Sequence, residues 1–429
     1  MVALAGARLL SVLAVFGASV IAARLLPTDA VGVAGVGLTV GWAVAIVANG
    51  GLNISAIYFL GKRPEQRTQL VGRVLGLAVG SFVVALLVTA VLAPILGVLV
   101  LDGQRPLLFA VSAALSVGTV AHEVAGALLL GLSRRGAYVL ADLLRSIVTL
   151  LSTGLLLAVF LRSAEGYVLA SGFGVVLPAV VSLLVVRRAV GSLRPSYHRE
   201  FTSEALRMGL AGQAGNVLTF MNVRVDQLLV PALAGLHAGG VYFIVARVAD
   251  AVGQVSTAAS SMLFPHVAAQ QDERDTTTTE RTTRLTLVAT LGMAAALAVL
   301  APVGLPLLFG AEYRAGVPAL LLLLVAMLPV ALSRVLAADL KGRGRPGLVS
   351  VGTGIGVVLV LALDLVLIPA YGIEGAALAA VIAQLATMVV LLTCYRRLTG
   401  GSVVALLPRL SDLGAVLGLV RGRLTGVSG

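Results

Sequence analysis

Apolar residues fill stretches of about twenty or more along nearly the whole chain, and short polar breaks separate them. A helical run of that length crosses the hydrocarbon core of a bilayer. Reading runs between breaks predicts spans near 2–25, 31–60, 74–101, 107–132, 139–161, 167–186, 208–235, 238–264, 285–309, 317–338, 348–369 and 372–395. The pattern repeats. Glu165-Gly166, an apolar stretch and Arg187-Arg188-Ala-Val-Gly191 return, at an offset of 209 residues, as Glu374-Gly375, an apolar stretch and Arg396-Arg397-Leu-Thr-Gly400. Leu169, Ala170, Val180, Val181 and Leu183 recur as Leu378, Ala379, Val389, Val390 and Leu392. Six crossings return a chain to its starting side, so the second half repeats the first in the same orientation. The fold expected is an all-α polytopic membrane protein of about 12 transmembrane helices in two parallel six-helix halves around a central cavity. The halves are expected at 1–190 and 208–398, with a cytoplasmic linker at 191–207 and a tail at 399–429.

Composition agrees with a membrane solvent. With 59% hydrophobic and 12% charged residues and a mean hydropathy of +1.04, the chain is no ordinary soluble globule. No polar stretch is long enough for a soluble catalytic domain. The single cysteine, Cys394, can form neither an intrachain disulfide nor a thiolate metal cluster. The segment from Val2 to Leu26 is expected to be a retained span rather than a signal peptide: no basic region precedes it, and Arg8 lies inside it.

Charge adds orientation. Basic residues crowd alternate connections, as in Lys62, Arg63, Arg67 and Arg73, in Arg187, Arg188, Arg194, Arg199 and Arg207, and in Lys341, Arg343 and Arg345. The opposite connections hold only Arg24, Arg105, Arg162 and Arg314. By the positive-inside rule both termini face the cytoplasm. The net charge of +12 then belongs to loops beside anionic headgroups rather than to a nucleic-acid surface. Short outer loops argue against a membrane-embedded transferase. In the tail, 403–407 and 413–420 are too short to span and are expected to lie in the interface or in loose order.

Charges inside spans are costly, at least ~2.5–3.5 kcal/mol each at mid-bilayer, and each needs a partner or a wet cavity. Asp142 and Arg145, three apart, are expected to pair, and Arg334 and Asp339 lie near a basic inner loop that offers the same remedy. His122-Glu123 has two readings, a satisfied buried pair or a functional one. Arg224, Asp226, Arg247 and Asp250 fall at one depth near mid-membrane on the hairpin of the seventh and eighth spans. That cluster is either a structural ion-pair network or an anion-binding, proton-responsive site, and the two readings are compatible. Arg247 and Asp250 share a helix face and are placed to pair locally. Asp226, Asp250 and Glu123 are the candidates for ion coupling. The first two spans offer neutral groups instead, Ser11, Ser19, Thr39, Asn49, Asn53 and Ser55, with Arg8 and Arg24 toward opposite ends. Gln213, Asn216, Asn222, Gln227 and Gln254 enrich the later hairpin. Amides in a wet cavity hydrogen-bond sugar hydroxyls, although an amide in a helix interface is the commoner case.

Several loose motifs fall in a consistent order. They are Arg24-Leu-Leu-Pro-Thr-Asp-Ala-Val-Gly32; Asp226-Gln-Leu-Leu with Gly240-Val-Tyr242, Ala246-Arg247 and Phe264-Pro265; Phe309-Gly310-Ala-Glu-Tyr313; and Tyr371-Gly372-Ile-Glu-Gly375. Over roughly residues 5–400 the chain resembles the polysaccharide flippases of the multidrug/oligosaccharidyl-lipid/polysaccharide (MOP) exporter superfamily. The resemblance implies a MATE/MOP-like fold and a Wzx-like flippase, not an enzyme. Its cargo would be undecaprenyl-pyrophosphate-linked oligosaccharide, moved from inner to outer leaflet by alternating access for cell-surface polysaccharide synthesis. The location implied is a bacterial or archaeal cytoplasmic membrane, with a polysaccharide polymerase or glycosyltransferases as partners. Relatives that flip the peptidoglycan precursor usually have fourteen spans, against twelve read here. The resemblance also implies cavity arginines for the anionic headgroup, which suits Arg8, Arg24, Arg224 and Arg247, and no cofactor beyond H+ or Na+ coupling. The competing readings are a drug or cation antiporter of the same superfamily and a non-transporting partner in an envelope assembly complex.

Overall fold

The computed structural model describes residues 2–101, 103, 105–269, 275–409 and 412, with the side chains of all but 2–9, 64 and 211. The described residues form helices and their connections, with no strand among them. In order, the helices are α1 (Val2–Leu25), α2 (Thr28–Asn49), α3 (Leu52–Lys62), α4 (Arg67–Leu99), α5 (Pro106–Gly131), α6 (Arg135–Leu155), α7 (Ala164–Val190), α8 (Arg199–Arg224), α9 (Asp226–Ala268), α10 (Thr277–Phe309), α11 (Val317–Gly342), α12 (Pro346–Thr399) and α13 (Val403–Leu406). Among the described residues, nine helical segments are long and apolar enough to cross a membrane. Two of these are hairpins, each turned by one glycine: Gly235 (φ 90°) within α9 and Gly372 (φ 58°) within α12.

The repeat is visible in the helices themselves. α4 and α10 are both 33 residues long, and α5 and α11 both 26. α4 and α10 turn most of their apolar side chains outward, for example Leu87 and Val98 on one and Val299 and Val303 on the other, as lipid-facing helices do. The twice-written frame has a physical meaning at each end. At the start of the frame, a Cβ on Gly166 would collide with the Leu161 carbonyl, and one on Gly375 with the Leu367 carbonyl. At its end, Gly191 (φ 80°) and Gly400 (φ 72°) cap α7 and α12 in the left-handed region, each donating its N–H to the first arginine of its Arg-Arg pair, at 2.8 and 2.9 Å. Glycine is the residue that adopts this conformation without penalty.

By contacts the chain divides into two compact units, Met1–Phe220 with Gln227–Ile244, and Met221–Asp226 with Val245–Gly429. In the first, α5 and α7 pack along each other, α6 joins α1 to α7, and α2 lies on α5. In the second, α11 is the centre, flanked by α10 and α12.

Three expectations change. The span read at 31–60 is two helices, α2 and α3, broken at Gly50-Gly51. The connection read at 191–207 is helical from Arg199, because that first turn of α8 packs on α3. Phe201 meets Phe59 edge-to-face at 5.2 Å, Ser55 Oγ donates to the Ala205 carbonyl at 2.7 Å, and Arg63 lies 3.5 Å from Glu204. The tail pieces differ as well. Val403–Leu406 packs as α13 with Leu406 buried beside Leu336, Leu340 and Tyr395, while Arg284 donates to the Ala405 carbonyl at 2.9 Å and pairs with Asp412 at 3.3 Å. Residues 413–420 lie outside the described residues.

Candidate functional site

The polar groups gather in two places, one in each unit. In the first unit the centre is the α2–α3 break. Gly50 (φ 56°) and Gly51 (φ 77°) both take left-handed backbone, which ends α2 and restarts the chain as α3. A broken helix leaves carbonyls without partners. The Gln213 amide on α8 donates to the carbonyl of Ile46, and Asn216 in turn donates to Gln213 Oε1 at 3.1 Å. The side chain of Asn49, the last residue of α2, works on both sides of the break. Its Nδ2 donates to Glu123 Oε2 on α5, and its Oδ1 accepts from the Asn53 N–H at 3.3 Å in the first turn of α3. Asn53 directs its own oxygen to the Ile54 N–H at 2.8 Å. The neighbouring imidazole of His122 has a buried Nδ1 with no hydrogen-bond partner among the described residues and lies in electrostatic reach of Arg145 and Asp142. Asp142 and Arg145 pair with each other at 3.0 Å. Farther along α2, Thr39 donates to Gln227 Oε1 at 3.1 Å. Arg24 is exposed in the last turn of α1 and engaged by a neighbour. Arg8 lies in α1, and its side chain is outside the described ones.

In the second unit the charges of the hairpin come together. Arg224, the last residue of α8, donates to Asp250 Oδ2 at 2.7 Å, and both side chains remain partly exposed. Asp250 thus takes a partner across the hairpin. Asp226 is buried at the start of α9, and Arg247 is half-buried; each is engaged within the fold. Nearby, Gln384 donates to Asn222 Oδ1 at 2.5 Å, and Asn222 donates to the Thr353 carbonyl at 3.2 Å. Arg334 donates to the Gly253 carbonyl at 2.7 Å and to Thr257 Oγ1 at 2.9 Å, and it feels Asp250 electrostatically. It is therefore held by α9, while Asp339 pairs with Arg343 at 2.7 Å and accepts from Thr279 at 2.6 Å.

The site reading passed over two features. Asp364 on α12 is fully buried, neither carboxylate oxygen has a hydrogen-bond partner among the described residues, and Asp226 is in electrostatic reach. A buried carboxylate without a partner requires a proton or a cation to neutralise it. An aspartate inside a run as apolar as 355–368 was the available signal. The second feature is the α2–α3 break, whose signal was the triplet Asn49-Gly50-Gly51 inside an apolar run.

A model of the family described as "Lipid II flippase MurJ" matches residues 41–411. No curated protein sequence matches. Among solved structures, the chain is similar to the lipid II flippase MurJ in its inward closed conformation, with a TM-score of 0.73, 12% identity, and coverage of 99% of this chain and 92% of that one. It is also similar to an inward-facing multidrug resistance MATE family transporter of the MOP superfamily, with a TM-score of 0.72, 17% identity, and coverage of 91% and 95%. A MATE structure in complex with MaL6 follows at a TM-score of 0.59 and 17% identity, covering 91% and 93%. At these identities the likeness is one of fold, and the fold is the all-helical MOP type.

Proposed function

Because the chain belongs to the lipid II flippase MurJ family, whose members are transporters of lipid-linked glycan and not catalysts, we propose that its cargo is a glycan on an undecaprenyl-pyrophosphate-type carrier, moved from the inner to the outer leaflet. The match over residues 41–411 carries this reading and favours a lipid II-type cargo. The motifs at Arg24–Gly32 and Asp226–Arg247 favour a second reading, a Wzx-like oligosaccharide on the same carrier. Both cargoes share a pyrophosphate that cannot cross hydrocarbon unaided.

Arginine suits that headgroup, since its planar fork neutralises phosphate through paired hydrogen bonds. Arg8, Arg24, Arg224 and Arg247 are the proposed headgroup ligands, with Asn49 and Asn53 available to sugar hydroxyls. Asp250 would hold Arg224 in place until the pyrophosphate takes over part of the pairing. The lipid tail stays in the bilayer while two six-helix halves, 1–190 and 208–398, alternate in exposing the cargo. Both termini then lie in the cytoplasm, beside the arginine-rich connections. Asp226, Asp250 and Glu123 are the proposed ion-coupling residues, and Asp364, with no hydrogen-bond partner among the described residues, strengthens the case for a coupled cation or proton near Asp226.

Proteoliposomes containing the purified protein test the proposal. Lipid II and an oligosaccharide on the same carrier are supplied separately, and exposure on the far leaflet is read with an added enzyme. Transport of either supports a lipid-linked-glycan cargo, and the faster one assigns the class. Transport of neither, with extrusion of an organic cation in its place, would replace the reading by that of an antiporter. Arg224→Ala should slow flipping at least about tenfold, the effect of losing one charged hydrogen bond of roughly 1.5–3 kcal/mol. Arg145→Ala, which breaks a pair with Asp142 alone, should leave the rate within about twofold.

A further inference from the structure

The polar network at the α2–α3 break holds an acid, Glu123, that the binding of a pyrophosphate or a sugar does not call for. We propose that Glu123 and Asn49 form a proton-binding site that controls the bend of the second span at Gly50-Gly51. The site stands on its own geometry, whatever the cargo.

Asn49 is the last residue before two left-handed glycines, and its side chain is the tie across them. One end holds Glu123 on α5, and the other receives the N–H of Asn53, one of the donors that the start of α3 leaves without an intrahelical partner. Glu123 is half-buried, so a proton can reach it. A neutral amide can orient a carboxylate but cannot cancel its charge, and an uncancelled charge at this depth is costly. When Glu123 is ionised, the Asn49 bond is charge-assisted. When Glu123 takes a proton, the same bond becomes one between neutral groups, of about half the strength. A proton on Oε2 itself opposes the Asn49 N–H donor and turns the amide, which removes the acceptor from Asn53. Either way, protonation loosens the Asn49 side chain, which bridges the break.

The backbone around the break supports a hinge. A Cβ on Gly51 would overlap the Gly209 backbone of α8, and one on Gly209 would meet the Gly50 carbonyl. Two chains thus cross at glycines with no side chains between them. Gln213 holds the Ile46 carbonyl on the other side of the same crossing. Asn49, Gln213 and Glu123 thus meet at the bend, and of these Glu123 is the one that titrates.

Several charged groups on the elements around α5 have contacts or places of their own. On α6, Asp142 and Arg145 pair with each other and act on His122. On α3, Lys62 donates to Tyr58 at 3.0 Å, and on α4, Arg73 lies over the Phe201 ring while Arg67 begins the helix. On α2, Asp29 pairs with His237 at 3.0 Å, and on α7, Glu165 and the Arg187-Arg188 pair stand at opposite ends. On α8, Glu204 lies 3.5 Å from Arg63. Among the described residues, Glu123 takes its side-chain hydrogen bond from the Asn49 amide.

The chain carries one tryptophan, Trp42, and it lies on α2 seven residues before Asn49, roughly 10 Å along the same helix face. It reports on the bend without any cargo. Trp42 fluorescence of the whole protein in detergent, titrated from pH 4 to pH 9, should show one transition. In Glu123→Gln the transition should vanish, with the low-pH spectrum at every pH, and in His122→Asn it should persist. Asn49→Ala keeps the acid but removes the tie through which it acts, so there too the transition should vanish, with the low-pH spectrum at every pH. No transition in the wild type, or a transition unchanged by both Glu123→Gln and Asn49→Ala, overturns the proposal, as does loss of the transition in His122→Asn alone. Since the measurement uses no lipid-linked cargo, a failed flippase assay leaves its outcome intact, and the converse also holds.

Discussion

Glu123 and Arg334 stand at the same place in two matching helices. Each is the eighteenth residue of a 26-residue helix, α5 in one case and α11 in the other. Each reaches the helix that carries the second span of its half. The acid accepts from Asn49, where α2 breaks, and the arginine donates to the Gly253 carbonyl and the Thr257 hydroxyl, where α9 runs on unbroken. The duplicated chain has kept the tie between the two helices and reversed its sign. The arginine has several acceptors to share its charge, whereas the acid has one amide. A charge with several fixed partners is a brace, and a charge with one neutral partner can be discharged by a proton. The same scaffold position therefore serves as a fixed strut in one half and as a titratable latch in the other.

The strut side should prove the more costly to damage. The strongest effect is expected next to it on α11, at Asp339. Its two oxygens receive Arg343 twice and Thr279 once, and neither member of the ion pair sees solvent to any extent. The corresponding place on α5 is Leu128, so α5 carries no such lock there. Removing one member of a buried pair leaves the other charge uncompensated, at a cost of about 3–5 kcal/mol. Asp339→Ala should thus lower the unfolding temperature in detergent more than any other substitution named here. A loss no larger than that of Asn49→Ala would mean that the second half is not the more rigidly tied.

Arg334→Met tests the comparison itself. It keeps most of the side-chain length and removes the donors, leaving the Gly253 carbonyl to the hydroxyls of Ser256 and Thr257 and to its own helix. A loss of about 1.5–3 kcal/mol is expected, in the range for hydrogen bonds to a charged group. The Trp42 transition should be unchanged, because the arginine belongs to the brace. A stability loss below about 0.5 kcal/mol would remove the distinction between strut and latch, since the arginine would then be as lightly held as the acid.

Much of this architecture was legible in the sequence, and the reason is physical. Apolar runs must be long enough to span, so the breaks between them show, and the matching starts and stops of α7 and of the second limb of α12 show because glycine alone fits them. The pairing of Asp142 with Arg145 was legible for the same kind of reason, as residues three apart on a helix meet. Long-range choices were not. Arg247 and Asp250 share a face, yet Asp250 is taken by Arg224 from the other limb of the hairpin, a contact that depends on how the two limbs lean. Arg334 lies five residues from Asp339, but Arg343, four residues on, fits its carboxylate better, and Arg334 is left to α9. The break at Gly50-Gly51 was hidden inside an apolar run, and the tail looked loose because a four-residue helix announces itself only through what it packs against. Family specificity was the least legible. The motifs pointed to polysaccharide flippases, whereas the family match is to lipid II flippases.

The smallest effect should come where the halves agree most closely. Gly191 and Gly400 end α7 and α12 with nearly the same backbone, φ 80° and 72°, and the same bond back to an arginine carbonyl. Nothing lies within 4 Å of a Cβ built on either one, so space is not the obstacle to a side chain. The cost of alanine there is conformational alone, about 1–2 kcal/mol for an L-residue held left-handed. Gly191→Ala and Gly400→Ala should therefore lower stability by similar amounts, and the double variant by their sum, since the two caps share no partner. Equal losses would make the repeated frame a pair of independent stop signals. Unequal losses, with Gly400→Ala the more severe, would show that the second stop also holds α13 in place, because Leu406 packs on Tyr395 just ahead of that cap.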